Sequence, residues 1–406
     1  MQRPAVRGCI ALLCLGALTI RSPAQAPVIR DSAGITIVLV RAPTHATAAF
    51  RLEEASLCVV GGNRADPRLD LLSVPSAFRL PDGHIVVAES RTREIRVYRC
   101  DGTLLTMLGR SGGGPGEFQN LTSAWPWRGD TILASQTFAG PLVVFHSDGG
   151  FVRTIPIRGN VQCCFSDGSV LRSRTGTAAT RTGAPSPSQP PIAFDRIAVD
   201  QRADTLARFG PFPGSEVTSE ARAVAPASPG VTVTRRTITA APFGRLTSAR
   251  PIGQTLVVGD GSAWEYRLFT ADGRLKRIVR VSGLPVPITK ADVAAWKSEQ
   301  LGDLAGAERA ARSAALDEVT FPATFPPYRR LEVDEAGRVW LEGFAKAGDR
   351  DVAWSVFAAD GTPSGIVRID RAARVLSIGA SHIVLRSSDA DGFITVSVRR
   401  LVSVAR

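Results

Sequence analysis

Between residues 77 and 118, four short apolar runs (77–80, 85–88, 95–98 and 104–108) are separated by Asp82-Gly83, a polar loop, and Asp101-Gly102. Runs of four or five Val, Ile and Leu broken by Asp-Gly read as strands joined by tight hairpins, because glycine accepts the positive φ such turns require. The spacing then recurs. Asp82 and Asp101 stand 19 residues apart, Asp130 and Asp148 18, and the turns at Gly253 and Asp272 about 19. Further units of the same kind cover residues 121–157, 161–209, 243–281, 331–369 and 375–404. Four antiparallel strands in about forty residues, repeated, predict an all-β fold, a six-bladed β-propeller. The last unit lacks a fourth strand of its own, and residues 56–60 are placed to supply it. That pairing sets Cys58 beside the strand at 393–401 and leaves no open sheet edge.

Departures from the repeat are as informative. Residues 34–40 form another apolar strand ahead of the first blade. The third unit is interrupted by a low-complexity loop at 175–191, and a second Pro/Ala/Ser-rich loop fills 210–230. Residues 289–319 are the helical insert. Thr289 followed by Asp292 starts it in the manner of a capping box. Val293, Trp296, Leu301 and Leu304 share one face, and Gly302 and Gly306 split it into two short helices. Ahead of the propeller, which is expected over residues 25–406, residues 1–24 read as a cleavable export signal. Arg3 and Arg7 are its basic region, 9–20 its apolar core and Ala24 its small-residue end. No other apolar run approaches the roughly 20 residues of a membrane span. The expected location is periplasmic or extracellular.

A net charge of +12 raises the question of nucleic acid, yet only four of the 49 basic residues are Lys and the Arg residues are scattered singly. No basic cluster is interleaved with aromatics, so no nucleic-acid partner is expected. Beyond the signal, four cysteines remain: Cys58, Cys100, Cys163 and Cys164. Three pairings are open, and strand alternation should point Cys163 and Cys164 to opposite faces. No Cys/His spacing suggests a metal. His45, His84, His146 and His382 all fall away from the face that carries the long connections. No G-x-S-x-G elbow occurs. The run Gly112–Gly116 lacks the Lys-Ser/Thr ending of a phosphate loop.

The unit Leu80-Pro81-Asp82-Gly83-x-Ile85-Val86-Val87-Ala88, the strand Arg96-Val97-Tyr98 and the linker from Gly109 through Gly114-Pro115-Gly116-Glu117-Phe118 resemble the NHL-type repeat of six-bladed β-propellers. The opening Asp31-Ser32-Ala33-Gly34-Ile35, the insert after blade four and Phe325-Pro326-x-Tyr328 resemble exported bacterial NHL-repeat-like or TolB-like propellers. The resemblance spans the mature chain. Such propellers include lactonases, lyases, dehydrogenases and pure binding scaffolds, so it leaves the chemistry open. Lactonase-like members hold calcium in the channel with Glu, Asn and Asp side chains. Here Asn120 or Asn160 with Glu89 would be the candidates.

Propeller topology puts the Asp-Gly turns on one face, the bottom, and the long connections on the other, the top. Elaboration on one face marks the working side. The expectation is therefore a monomeric, non-catalytic binding or scaffold module without cofactor or metal. It would recognise a peptide, carbohydrate or partner protein through the top-face residues Glu89, Arg91, Arg93, Arg110, Glu117 and Trp264. The alternative is a calcium-dependent hydrolase or lyase. A carboxylate cluster in the channel would favour the enzyme, and an apolar or Arg-lined channel the binding module. Trp296 should anchor the helices, and Trp340 should belong to the core.

Overall fold

The computed structural model describes residues 26–42, 50–62, 69–136, 140–175, 189–200, 202–224 and 233–404. The expected export signal, His45, Asn63 and most of the 175–191 loop lie outside these residues. Blade one pairs Ser76–Arg79, Ile85–Glu89, Glu94–Tyr98 and Leu104–Leu108 as neighbouring antiparallel strands, from channel to rim. The same order repeats in blade two (Leu121–Pro126 to Phe151–Ile155), blade three (Asn160–Cys164 to Thr205–Phe212), blade four (Ser248–Ile252 to Leu275–Ser282) and blade five (Arg330–Val333 to Pro363–Asp370). Blade six holds Arg374–Ile378, His382–Ser388 and Ile394–Ser403, and takes Phe50–Gly61 as its outer strand.

Each blade is sandwiched between two others, so its middle strands lose solvent on both faces. Ile85–Glu89 is buried at every position, which explains an unbroken apolar run where a half-exposed strand would alternate. The rim strand Leu104–Leu108 does alternate. The core is a ring of interfaces between blades rather than one centre. Phe118 and Phe145, for example, pack 5.8 Å apart between blades one and two.

The expected closure is present: Cys58 lies opposite Val398 in the outer pair of blade six. A disulfide from Cys58 to Cys100 then ties this strand to the bottom turn of blade one. Three features differ from expectation. Ile35–Arg41 is one arm of a hairpin with Val28–Ser32, and it adds parallel to Leu275–Ser282, making blade four six-stranded. Part of the 210–230 segment is a strand, Val217–Val224, paired with Val233–Ala240 as a hairpin outside the blades. Cys163 and Cys164 are bonded to each other. Strand alternation fails there because the register slips between Val161 and Cys163, and Cys163 takes a positive φ of 85°. That kink turns the two side chains the same way.

The insert forms two helices, α1 (Lys290–Leu301) and α2 (Gly306–Asp317). The capping box at Thr289 is complete: the Asp292 N–H donates to Thr289 Oγ1 and the Thr289 N–H to the Asp292 carboxylate. The other Asp292 oxygen accepts the Ala347 N–H at 2.8 Å, so the cap also fastens α1 to the top of blade five. Trp296 packs 5.3 Å from Phe321 and 6.4 Å from Phe243. No described helix is long and apolar enough to cross a membrane.

Candidate functional site: the channel mouth and the groove beside it

The inner strands run from top to bottom, so the first residue of each stands at the top mouth of the central channel, a cavity of about 680 Å³. Arg330 opens the inner strand of blade five and Arg374 that of blade six. Both also line a second hollow of about 770 Å³ on the top face, enclosed by α1, the base of the outlying hairpin and the top loops of blades five and six. Channel and groove meet at these two guanidiniums.

Charge at this junction is unbalanced. Two carboxylates serve three arginines. Glu332 takes two hydrogen bonds from Arg250, at 2.7 and 2.9 Å, and a longer one of 3.4 Å from Arg330. Glu342 accepts Arg330 Nε at 2.5 Å and lies 3.6 Å from Arg329. Arg330 is held further by stacking on Trp354, 5.2 Å from its ring centre, and by the Val375 carbonyl at 3.3 Å. Arg374 has no ion pair among the described residues. It stands directly across the strand pair from Arg386, which donates to the Val74 carbonyl at 3.5 Å. Like charges facing across a sheet are unfavourable. Arg374 is exposed, yet partial desolvation at the channel mouth, then the guanidiniums of Arg330, Arg386 and Arg329, lower its pKa. An anion placed here would relieve that repulsion.

Deeper in the channel, burial alone would raise the Glu332 carboxyl, but Arg250, with Arg330 and Arg374 behind it, outweighs that and holds it below the usual carboxylate range. A carboxylate depressed in the folded state contributes stability above its unfolded pKa, about 4.5, and loses it as pH falls through the lower folded value. The melting-temperature gap between wild type and Glu332→Gln is therefore expected to be widest above roughly pH 5 and to shrink as acid is added. A gap that stays constant down to about pH 3 would rule this coupling out.

At the bottom end the Cys163–Cys164 disulfide and His382 line the same cavity. His382 is 9% exposed, and burial, with Arg79 nearby, lowers its pKa against the opposing pull of Glu335. His84 and His146 lie beside bottom-turn aspartates, Asp82 at 2.8 Å and Asp130 at 3.7 Å. Among the described residues, no three His, Cys, Asp or Glu side chains stand together as a metal-ligand set.

Of the residues singled out in sequence, five gather on the top rim of blade one. Glu89 is fully buried, and its carboxylate accepts the N–H groups of Leu72, Ser73 and Arg91 at 2.8–3.1 Å. This fastens the loop and leaves the carboxylate little capacity for calcium. Arg93 donates to Ser111 at 2.7 Å. Arg110 pairs with Glu117 at 2.7 Å, and Glu117 accepts the Gly114 N–H. Arg91 and Arg110 are exposed. Trp264 is half-buried on blade four, across the ring, so it does not share a site with the others. Asn160 opens the inner strand of blade three and lines the channel; Asn120 is exposed in the connection before blade two. The junction arginines were missed because nothing in the sequence sets them apart from the chain's many other arginines. The available signal was their shared place, the first residue of an inner strand after a top-face loop.

No protein-family model matches the chain, and no curated protein does. Solved structures do. A member of the DUF4221 family from Bacteroides vulgatus aligns over 88% of this chain and 100% of its own, with 10% identity and a TM-score of 0.51. A Bacteroides fragilis protein described as exported aligns over 90% and 99%, with 12% identity and a TM-score of 0.46. The PQQ-bound aldose sugar dehydrogenase of Streptomyces coelicolor aligns over 89% and 100%, with 13% identity and a TM-score of 0.40. At these identities the likeness is one of fold. The chain is a six-bladed β-propeller.

Proposed function

We propose that this chain is an exported binding propeller, periplasmic or extracellular, that takes its ligand at the top face without transforming it. One observation supports this most: the Arg-rich junction of channel and groove, where charge is arranged to receive a partner. Among the described residues around it, no nucleophile is paired with a base. The carboxylates nearest the junction, Glu332 and Glu342, are each committed to arginines. Glu89, the acid best placed for a calcium ligand by sequence, is spent on backbone amides.

The test is thermal unfolding of the mature protein in calcium and in EDTA. A ligand that prefers the folded state must raise the midpoint. Equal midpoints are expected. A calcium-dependent rise of several degrees would sink the non-catalytic reading and return attention to a calcium-dependent hydrolase or lyase.

A further inference from the structure

The groove that meets the channel at Arg330 and Arg374 has walls as distinctive as its floor. Phe243, Trp296, Phe344 and Trp354 line it. Phe243 sits at the centre of an aromatic group, 5.0 Å from Phe325 and 6.4 Å from both Trp296 and Phe344. It does so with a φ of 50°, in the left-handed region that bulky residues rarely occupy. Strain of this kind persists where the surroundings hold it, and it clusters at binding and catalytic sites. Above, Glu299 of α1 pairs with Arg371 of the connection between blades five and six, and the Asp292 cap holds the same helix to blade five. The result is a preformed hollow of ligand size. It has aromatic sides and, at its inner end, the Arg374 guanidinium, which has no ion pair among the described residues.

We infer that this groove binds a small organic carboxylate with an apolar or aromatic ring, the acid group against Arg374 and Arg330 and the ring against Trp296 and Phe344. The inference rests on the binding reading above and gives that site its ligand class. Arg330 is pre-oriented by Trp354 and Glu342, so little side-chain freedom is lost when it receives an anion. Arg374 supplies the unneutralised charge, and its planar fork matches a carboxylate with two parallel hydrogen bonds. Glu342 borders the same floor. It disfavours a multiply charged phosphate more than a single carboxylate, because like charges at a few ångströms repel strongly in a site of reduced dielectric.

Paired probes test this. Phenylacetate is compared with phenylacetamide, and glucuronate with glucose, by calorimetric titration of the mature protein, with inorganic phosphate as a further arm. Phenylacetate should bind at least about tenfold more tightly than phenylacetamide, as expected for one charge-assisted contact pair. Arg374→Gln should erase that difference without lowering the melting temperature, since it also removes the repulsion from Arg386, and Arg374→Lys should restore part of it. Should that variant fold poorly, Phe344→Ala on the wild-type charge set should weaken phenylacetate and phenylacetamide alike. Equal affinity for acid and amide overturns the inference but leaves the binding reading standing. Stronger binding of glucuronate or phosphate than of phenylacetate, or no measurable binding of phenylacetate at 10 mM (roughly the weak limit of such a contact), also overturns it. Only the calcium result bears on the broader reading.

Discussion

Breaking the Cys58–Cys100 bridge is expected to lower stability by about 4 kcal/mol, the loop-closure estimate for a cross-link spanning 42 residues. For a chain of this size, with an unfolding entropy of about 2.1 cal/mol/K per residue, that is a fall of about 5 °C. The bridge joins the strand that closes the ring to the bottom turn of the blade beside it, so its loss falls on the seam. Cys100→Ser is the cleaner variant. Cys100 is exposed, whereas Cys58 is 2% exposed among Val60, Val396 and Val398. A serine at position 58 would add the cost of an unmatched hydroxyl. Scanning calorimetry of Cys100→Ser beside wild type reads the effect. Because the loss concerns the seam, amide exchange should rise first along residues 50–61. A variant that melts with wild type, with exchange unchanged on that strand, would show that the hydrogen-bonded pairing alone holds the ring shut.

Asp334→Ala is expected to be comparably severe, at about 3–5 kcal/mol. The side chain has no solvent exposure. It accepts the backbone N–H of Ala336 at 3.0 Å and of Arg338 at 2.9 Å, the Arg338 Nε at 2.5 Å, and the indole N–H of Trp340 at 2.7 Å. Trp340 is itself fully buried between blades five and six. One carboxylate thus shapes the bottom turn of blade five, neutralises an arginine and orients a tryptophan at the centre of that interface. Its removal strands an indole N–H and leaves Arg338 with cation–π contacts to Phe50 and Trp340 in place of its anion. Asp334→Asn keeps the shape and an acceptor but loses the charge, and should fall between the two. Chemical-denaturation midpoints order the three proteins. Equal midpoints for Asp334→Ala and wild type would show the network to be incidental.

Blade architecture was legible because it is written locally. A hairpin needs only its own turn residues and two apolar runs, and such units reappear at a constant spacing. The closing strand could be placed because the last unit was one strand short, a deficit visible in sequence. The N-terminal hairpin could not be placed. Its partner, Leu275–Ser282, is chosen by geometry in the assembled ring, and nothing near Ile35–Arg41 in the chain encodes that edge. The Cys163–Cys164 bond was hidden for a related reason, since alternation holds for a regular strand and a slipped register cancels it. The site was least legible of all. Arg330 and Arg374 came together only when two blades placed equivalent strand ends side by side, with Arg386 across from Arg374 on the next strand, while Glu89, conspicuous in sequence, proved to be committed to the loop it belongs to.

The way the ring closes has a consequence for how the molecule comes into being. Phe50 lies opposite Ser403, so the strand made early must wait for almost the whole chain before it finds its partner. Pairings that distant in sequence form late, because their loop-closure entropy is met before any contact rewards it. Until then blade six lacks its outer pair and keeps an open edge, and strand 50–61, whose Leu57 and Val59 stay exposed even in the finished ring, has no partner. A nascent or truncated chain lacking residues 394–403 would keep both edges free and be prone to join a second copy through them. Pairing of strand 394–403 with strand 50–61 is thus the event that converts an adhesive intermediate into a self-contained ring.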